Sequence, residues 1–102
     1  MATDVTTNSQ VIAREFAAAI RDEPAVEQLW LVEDPGCLQL IAITSDLDDA
    51  TELRIDEAFG DLMRRHPAAG IFSRIFSPSL FEEGTDMVSL VPQRARQIPL
   101  CD

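Results

Sequence analysis

Lysine is absent from this sequence: all eight basic residues are arginine, set against eighteen acids. An all-arginine set is what a GC-rich coding sequence produces, so it carries no functional claim by itself. The resulting net charge of −10 does carry one. Such a surface repels phosphate backbones, so nucleic acid is not an expected partner. It would attract a basic protein or metal cations, and it keeps a small domain soluble.

Glycine is also scarce, with four residues scattered at positions 36, 60, 70 and 84. They build no glycine-rich phosphate loop. No apolar run approaches the roughly 20 residues that span a bilayer, so no membrane segment is expected. The opening "MATDVTTNSQ" has neither a basic n-region nor an apolar h-region. No secretion signal is therefore expected, and the cytoplasm is the expected location. The two cysteines, Cys37 and Cys101, form no CxxC and no metal-ligand spacing. In a reducing compartment both are expected as free thiols, although a disulfide between them is the alternative.

What remains is an ordinary globular composition, 46 % apolar. A chain of 102 residues fits one domain and buries roughly 65 % of its unfolded surface, enough for a core without staples. We expect a single α+β domain over 1–102, with 1–7 and 93–102 less ordered.

A first helix is expected from Ser9 to Arg21, with Thr7 as its cap and Gln10 completing a T-x-x-Q capping box. Val11, Ile12, Phe16, Ala19 and Ile20 recur on one face, and Pro24 ends the run. Two apolar segments, Val26–Val32 and Leu38–Thr44, flank Asp34-Pro35-Gly36, which predicts a β-hairpin. Both segments are apolar at nearly every position rather than alternately. Both faces are then covered, or one face meets another subunit.

A second helix follows. Asp49 with Glu52 makes a D-x-x-E cap, and Asp48 serves the same purpose with a shift of one residue. Ile55, Ala58, Phe59, Leu62 and Met63 repeat at helical spacing. Acids crowd the first turn, while Arg64, Arg65 and His66 crowd the last, as the helix macrodipole favours. Ile71–Ser77 reads as a third strand, and Met87–Val91 as a short one. The expected order is α-β-β-α-β with a short C-terminal strand or extension, a mixed or antiparallel sheet and two helices packed on it.

Candidate chemistry is thin. Asp46, Asp48 and Asp49 are the candidate metal ligands, with Glu33 or Asp34 from the hairpin turn, since carboxylate oxygens suit Mg²⁺ or Ca²⁺. The run lacks the EF-hand pattern, and helix initiation accounts for every acid in it. His66 is the only side chain suited to proton transfer near neutral pH, but it lies at a helix C-terminus with no evident nucleophile. Ser73, Ser77, Ser79 and Ser89 lie in no G-x-S-x-G context. Cys37 at its turn has no neighbouring base. No catalytic residue and no cofactor is expected. Trp30, between Leu29 and Leu31, points to the opposite sheet face from both. It is the candidate contact residue, with ordinary packing as the competing reading.

The order helix, "VEQLWLVED", tight turn, "CLQLIAITSD", helix, "GIFSRIFS" resembles the core of small nucleotidyltransferase-like proteins over Ser9 to Ser77. An active member of that family carries a Gly-Ser pair after its first strand, where Asp34-Pro35-Gly36 stands here. It also carries Asp-x-Asp on its second strand, whereas Asp46-Leu47-Asp48 follows the strand. The resemblance thus implies a degenerate, non-catalytic scaffold. Ferredoxin-like α+β modules share the same pattern. The expected function is protein–protein interaction, as an adaptor, inhibitor or antitoxin-like module with a basic protein partner, and as a homo-oligomer. The alternatives are a divalent-metal-dependent nucleotide-binding or transferase domain using Asp46, Asp48 and Asp49, and an acidic nucleic-acid mimic.

Overall fold

The computed structural model describes residues 3–100. Helix α1 spans Thr3–Ile20, strands β1 and β2 span Val26–Asp34 and Cys37–Thr44, and helix α2 spans Asp49–Arg65. Strand β3 (Ile71–Phe76), two short 3-10 helices (Pro78–Leu80 and Met87–Leu90) and strand β4 (Arg96–Ile98) complete the chain. The fold is the expected α+β domain, with two helices and one four-stranded mixed sheet in the order β3-β2-β1-β4. Among the described residues no helix is long and apolar enough to cross a membrane.

The hairpin is as tight as its sequence requires. Asp34 pairs with Cys37, leaving Pro35 and Gly36 as the turn. Gly36 sits at φ 72°, so proline followed by glycine supplies the two conformations of a type II turn. Gly70, at φ 63°, backs onto this turn: a Cβ there would lie 2.5 Å from the Gly36 carbonyl oxygen. The Gly70 carbonyl in turn accepts from the Leu38 N–H at 3.0 Å.

From β2 the chain crosses through α2 and returns in parallel as β3, hydrogen-bonded directly to β2. A ferredoxin-like split βαβ would leave a strand between them, so that arrangement is not the one adopted. Both helices cover one sheet face. Ile12, Phe16 and Ile20 of α1 and Ile55 and Leu62 of α2 share one core with Leu29, Leu31, Leu40, Ala42 and Ile98. The Phe16 and Phe59 rings meet edge-on at 6.0 Å, which joins the helices above the strands.

The opposite face carries Val32, Ile41 and Ile43, all buried although no helix lies there. The strand order leaves the segment 77–95 to cover them. That segment departs from β3 at one edge of the sheet and rejoins as β4 at the other, antiparallel to β1. Its first turn is held where Phe81 meets Phe76 edge-on at 5.6 Å. Its end is held where Arg94 donates to both Asp34 oxygens, at 3.1 and 3.2 Å. A cover from the chain itself accounts for the unbroken apolar character of both hairpin strands.

Three expectations need correction. The helix begins at Thr3, so Thr7 lies inside α1 and cannot be its cap, which needs a non-helical backbone. The N-cap of α2 is Asp48, at φ −86° and ψ 167°, while Asp49 is already helical. Met87–Val91 is no strand: Asp86 caps a 3-10 turn there by accepting from the Val88 N–H at 3.2 Å. The short C-terminal strand is Arg96–Ile98, placed by the pairing of Ile98 with Leu29, a contact invisible to local periodicity.

Among the described residues one buried side-chain group is left unsatisfied. The Thr44 hydroxyl at the end of β2 is sealed from solvent and has no hydrogen-bond partner. An unmade bond at such a site costs about 1–3 kcal/mol, and valine has the same shape without the hydroxyl. Thr44→Val is therefore expected to raise stability by about 1 kcal/mol in urea denaturation. A loss of similar size would show that the hydroxyl has a partner.

Candidate functional site

The acidic loop is organised by helix initiation. Asp48 Oδ1 accepts from the Thr51 N–H at 2.7 Å, and the Asp48 carbonyl accepts from the Glu52 N–H at 3.0 Å. The Thr51 hydroxyl, then its N–H, hold the Asp48 carboxyl below its ordinary range, against a smaller opposing effect of desolvation. Arg54, one turn on, donates to the Thr51 hydroxyl at 3.0 Å and to both Glu23 oxygens at 2.8 Å. That two-pronged bond lowers the Glu23 carboxyl and raises the Arg54 guanidinium from their usual values. The network Asp48–Thr51–Arg54–Glu23 thus fastens the start of α2 to the loop after α1. Asp46 and Asp49 stand exposed beside it.

The metal-site constellation does not assemble. Among the described residues no three His, Cys, Asp or Glu side chains are placed to hold an ion. Glu33 and Asp34 lie at the far end of the hairpin: Asp34 pairs with Cys37, while Val26 pairs with Thr44. At about 3.3 Å per residue that separation is roughly 25 Å. Asp34 is engaged with Arg94, and Glu33 lies 3.9 Å from Arg96.

His66 is a structural residue. Its N–H donates to the Leu62 and Met63 carbonyls, closing α2, and its Nε2 lies 3.2 and 3.3 Å from the two Glu15 oxygens. Arg65 adds a 3.4 Å ion pair to the same glutamate. The other end of α2 is thereby pinned to α1. Cys37 is a free, half-buried thiol lining an open cleft of about 360 Å³ with Ser9, Ile12, Pro35 and Ala69. Glu33 and Asp34 also line it, and both carboxylates face arginines, Asp34 paired with Arg94 and Glu33 at 3.9 Å from Arg96. Cys101, and with it any pairing to Cys37, lies outside the described residues.

Trp30 lies on the face opposite Leu29 and Leu31, as its position implies. It is half-buried between Ile41 and Gln97 on the neighbouring strands. Its indole N–H donates to the Gln28 amide oxygen at 2.9 Å. The more exposed apolar surface is elsewhere, at positions that sequence patterning did not single out. Phe72 on β3 is 58 % exposed, Leu80 64 % and Leu90 46 %, with Val88 also exposed. Leu80, Phe81 and Leu90 line a shallow groove with Arg74, Ile75 and Phe76 beside β3. The available signal was "IFSRIF", a strand with no acid in a strongly acidic chain.

Comparison of the chain with protein-family models, with curated proteins and with solved structures returns no match.

Glu23 and Asp48 both have lowered carboxyl values, so their stabilisation is fully present above about pH 4.5, the ordinary Glu23 value. It is lost as pH falls through the lower folded values. Glu23→Gln is expected to reduce the melting temperature at neutral pH and to flatten its decline on acidification below that point. Parallel acid slopes for variant and wild type would contradict the network.

Proposed function

We propose that this chain is a non-enzymatic protein-interaction module, working by contact rather than by a chemical step. The observation that carries the reading is the apolar surface beside β3, where Leu80 and Leu90 stand exposed around one groove and Phe72 stands exposed on the strand that walls it. Isolated exposed apolar residues are common, but a group around a groove is the usual mark of a contact site. The degenerate nucleotidyltransferase-like reading belongs to the same proposal. The hairpin turn occupies the place of the Gly-Ser pair, and Asp48 is engaged as a helix cap.

The charge favours a basic protein as one partner. Asp46, Asp49, Glu52, Asp56 and Glu57 are exposed, and none has an ion-pair partner among the described residues. Binding to a basic surface would weaken with salt, as exposed charges are screened beyond about 10 Å at 0.1 M.

The test uses the wild type and a Leu80→Ser/Leu90→Ser variant as baits in a lysate of the source cell, after matching their melting curves. A protein retained by the wild type, released by salt and lost with the variant is the expected result. Equal retention by both baits would sink the reading.

A further inference from the structure

The two edges of the sheet are treated very differently. β4 is three residues long, has Pro92 and Pro99 nearby, carries Arg96 facing Glu33, and is preceded by Arg94, which is tied back to Asp34. Shortness, proline and charge are the devices that stop an edge from pairing with another chain. β3 is less protected: its one charge is Arg74, and its nearest proline, Pro78, lies beyond its end. Its six residues, Ile71–Phe76, pair with β2 in unbroken register, without a bulge, a proline or a lysine. Phe72, Ser73 and Arg74 are exposed in succession, and Arg74 has no ion-pair partner among the described residues.

We propose that the occupant of this edge is β3 of a second copy, paired antiparallel about a two-fold axis to make one continuous eight-stranded sheet. This deepens the interaction-module reading and rests on it. The strand is complementary to itself in the register centred on Ser73, which pairs residues 71–75 with their counterparts, whereas a centre at residue 72 would pair only 71–73. Keeping each sheet face continuous requires residues of like parity to stand opposite one another, because side chains alternate between faces. Ser73 on the axis satisfies this. Ile71 then faces the second copy's Ile75 on the helix side, and Phe72 faces its Arg74 on the other. The pairing gives the exposed ring a cation and gives the unpaired guanidinium an aromatic face, twice over. Moving the axis to residue 74 would set the two Arg74 side chains against each other, which is unfavourable. The contact strand carries no acid, so the charges that repel the two copies lie elsewhere on the surface. Association should therefore tighten with salt, opposite to binding of a basic partner.

The experiment is sedimentation equilibrium of the full chain at low and moderate salt, with Phe72→Lys and Phe72→Lys/Arg74→Glu. Position 72 is exposed in the single chain, so at concentrations too low for dimerisation all three proteins should melt alike. The wild type should be a dimer that tightens with salt. Phe72→Lys sets lysine against Arg74 at two places and should weaken it about tenfold or more. The double variant sets lysine against glutamate at the same places and should restore it. Ser73→Cys, in a background with Cys37 and Cys101 replaced by Ser, should form a disulfide across the axis, where antiparallel Cα separations of about 4.5–5.5 Å suit one. A dimer indifferent to Phe72→Lys, or a double variant no tighter than the single one, would overturn the proposal. So would a wild-type monomer, even one that takes up a basic extended peptide along β3. The wider interaction reading is judged separately, by whether the Leu80→Ser/Leu90→Ser bait loses its protein.

Discussion

Strand β2 is the constraint on which the structure depends. Its eight residues, "CLQLIAIT", carry no charge, and six of them are buried. Leu38, Leu40 and Ala42 lie against the helices, while Ile41 and Ile43 are buried on the opposite face. A strand apolar on both faces is stable only with a layer on each and a neighbour on each edge. β1 and β3 supply the edges, and α1 and α2 supply one layer. The segment 77–95 must supply the other, which is why the chain goes past β3 and crosses the sheet to end as β4.

The polar groups are placed around that core rather than gathered into a reactive centre. Glu23 and Arg54 fasten one end of the helix pair, and Glu15 with Arg65 and His66 fastens the other. Exposed ion pairs contribute little each, typically 0.2–1 kcal/mol, so their value lies in fixing how α2 sits over the strands. The same bonds occupy His66, and capping of α2 occupies Asp48. What they leave open is the β3 side, where the only strand charge is Arg74 and where Phe72 projects into solvent.

Local chemistry made much of this legible in advance. The Pro35-Gly36 turn, both hairpin strands, α2 with its acidic start and basic end, and β3 all follow from patterns spanning a few residues. The failures share a cause. β4 exists because Ile98 meets Leu29, nearly seventy positions earlier in the chain, and Met87–Leu90 winds into a 3-10 turn because Asp86 caps it. Capping went astray for another reason. At α2 the adjacent Asp48 and Asp49 are each competent to cap, and local pattern does not decide between them. For the surface, Trp30 attracted attention by its size. Exposure, however, depends on whether a residue lies at the middle of a sheet or on an open edge, and that is set by strand order.

The claim that β2 is covered on both faces, the second time by residues 77–95, is tested most directly by methyl NMR. The account predicts cross-relaxation from the Val32, Ile41 and Ile43 methyls to side chains within 77–95, with little broadening by a soluble paramagnetic agent. Strong broadening of those methyls, with no cross-relaxation to that segment, would contradict it.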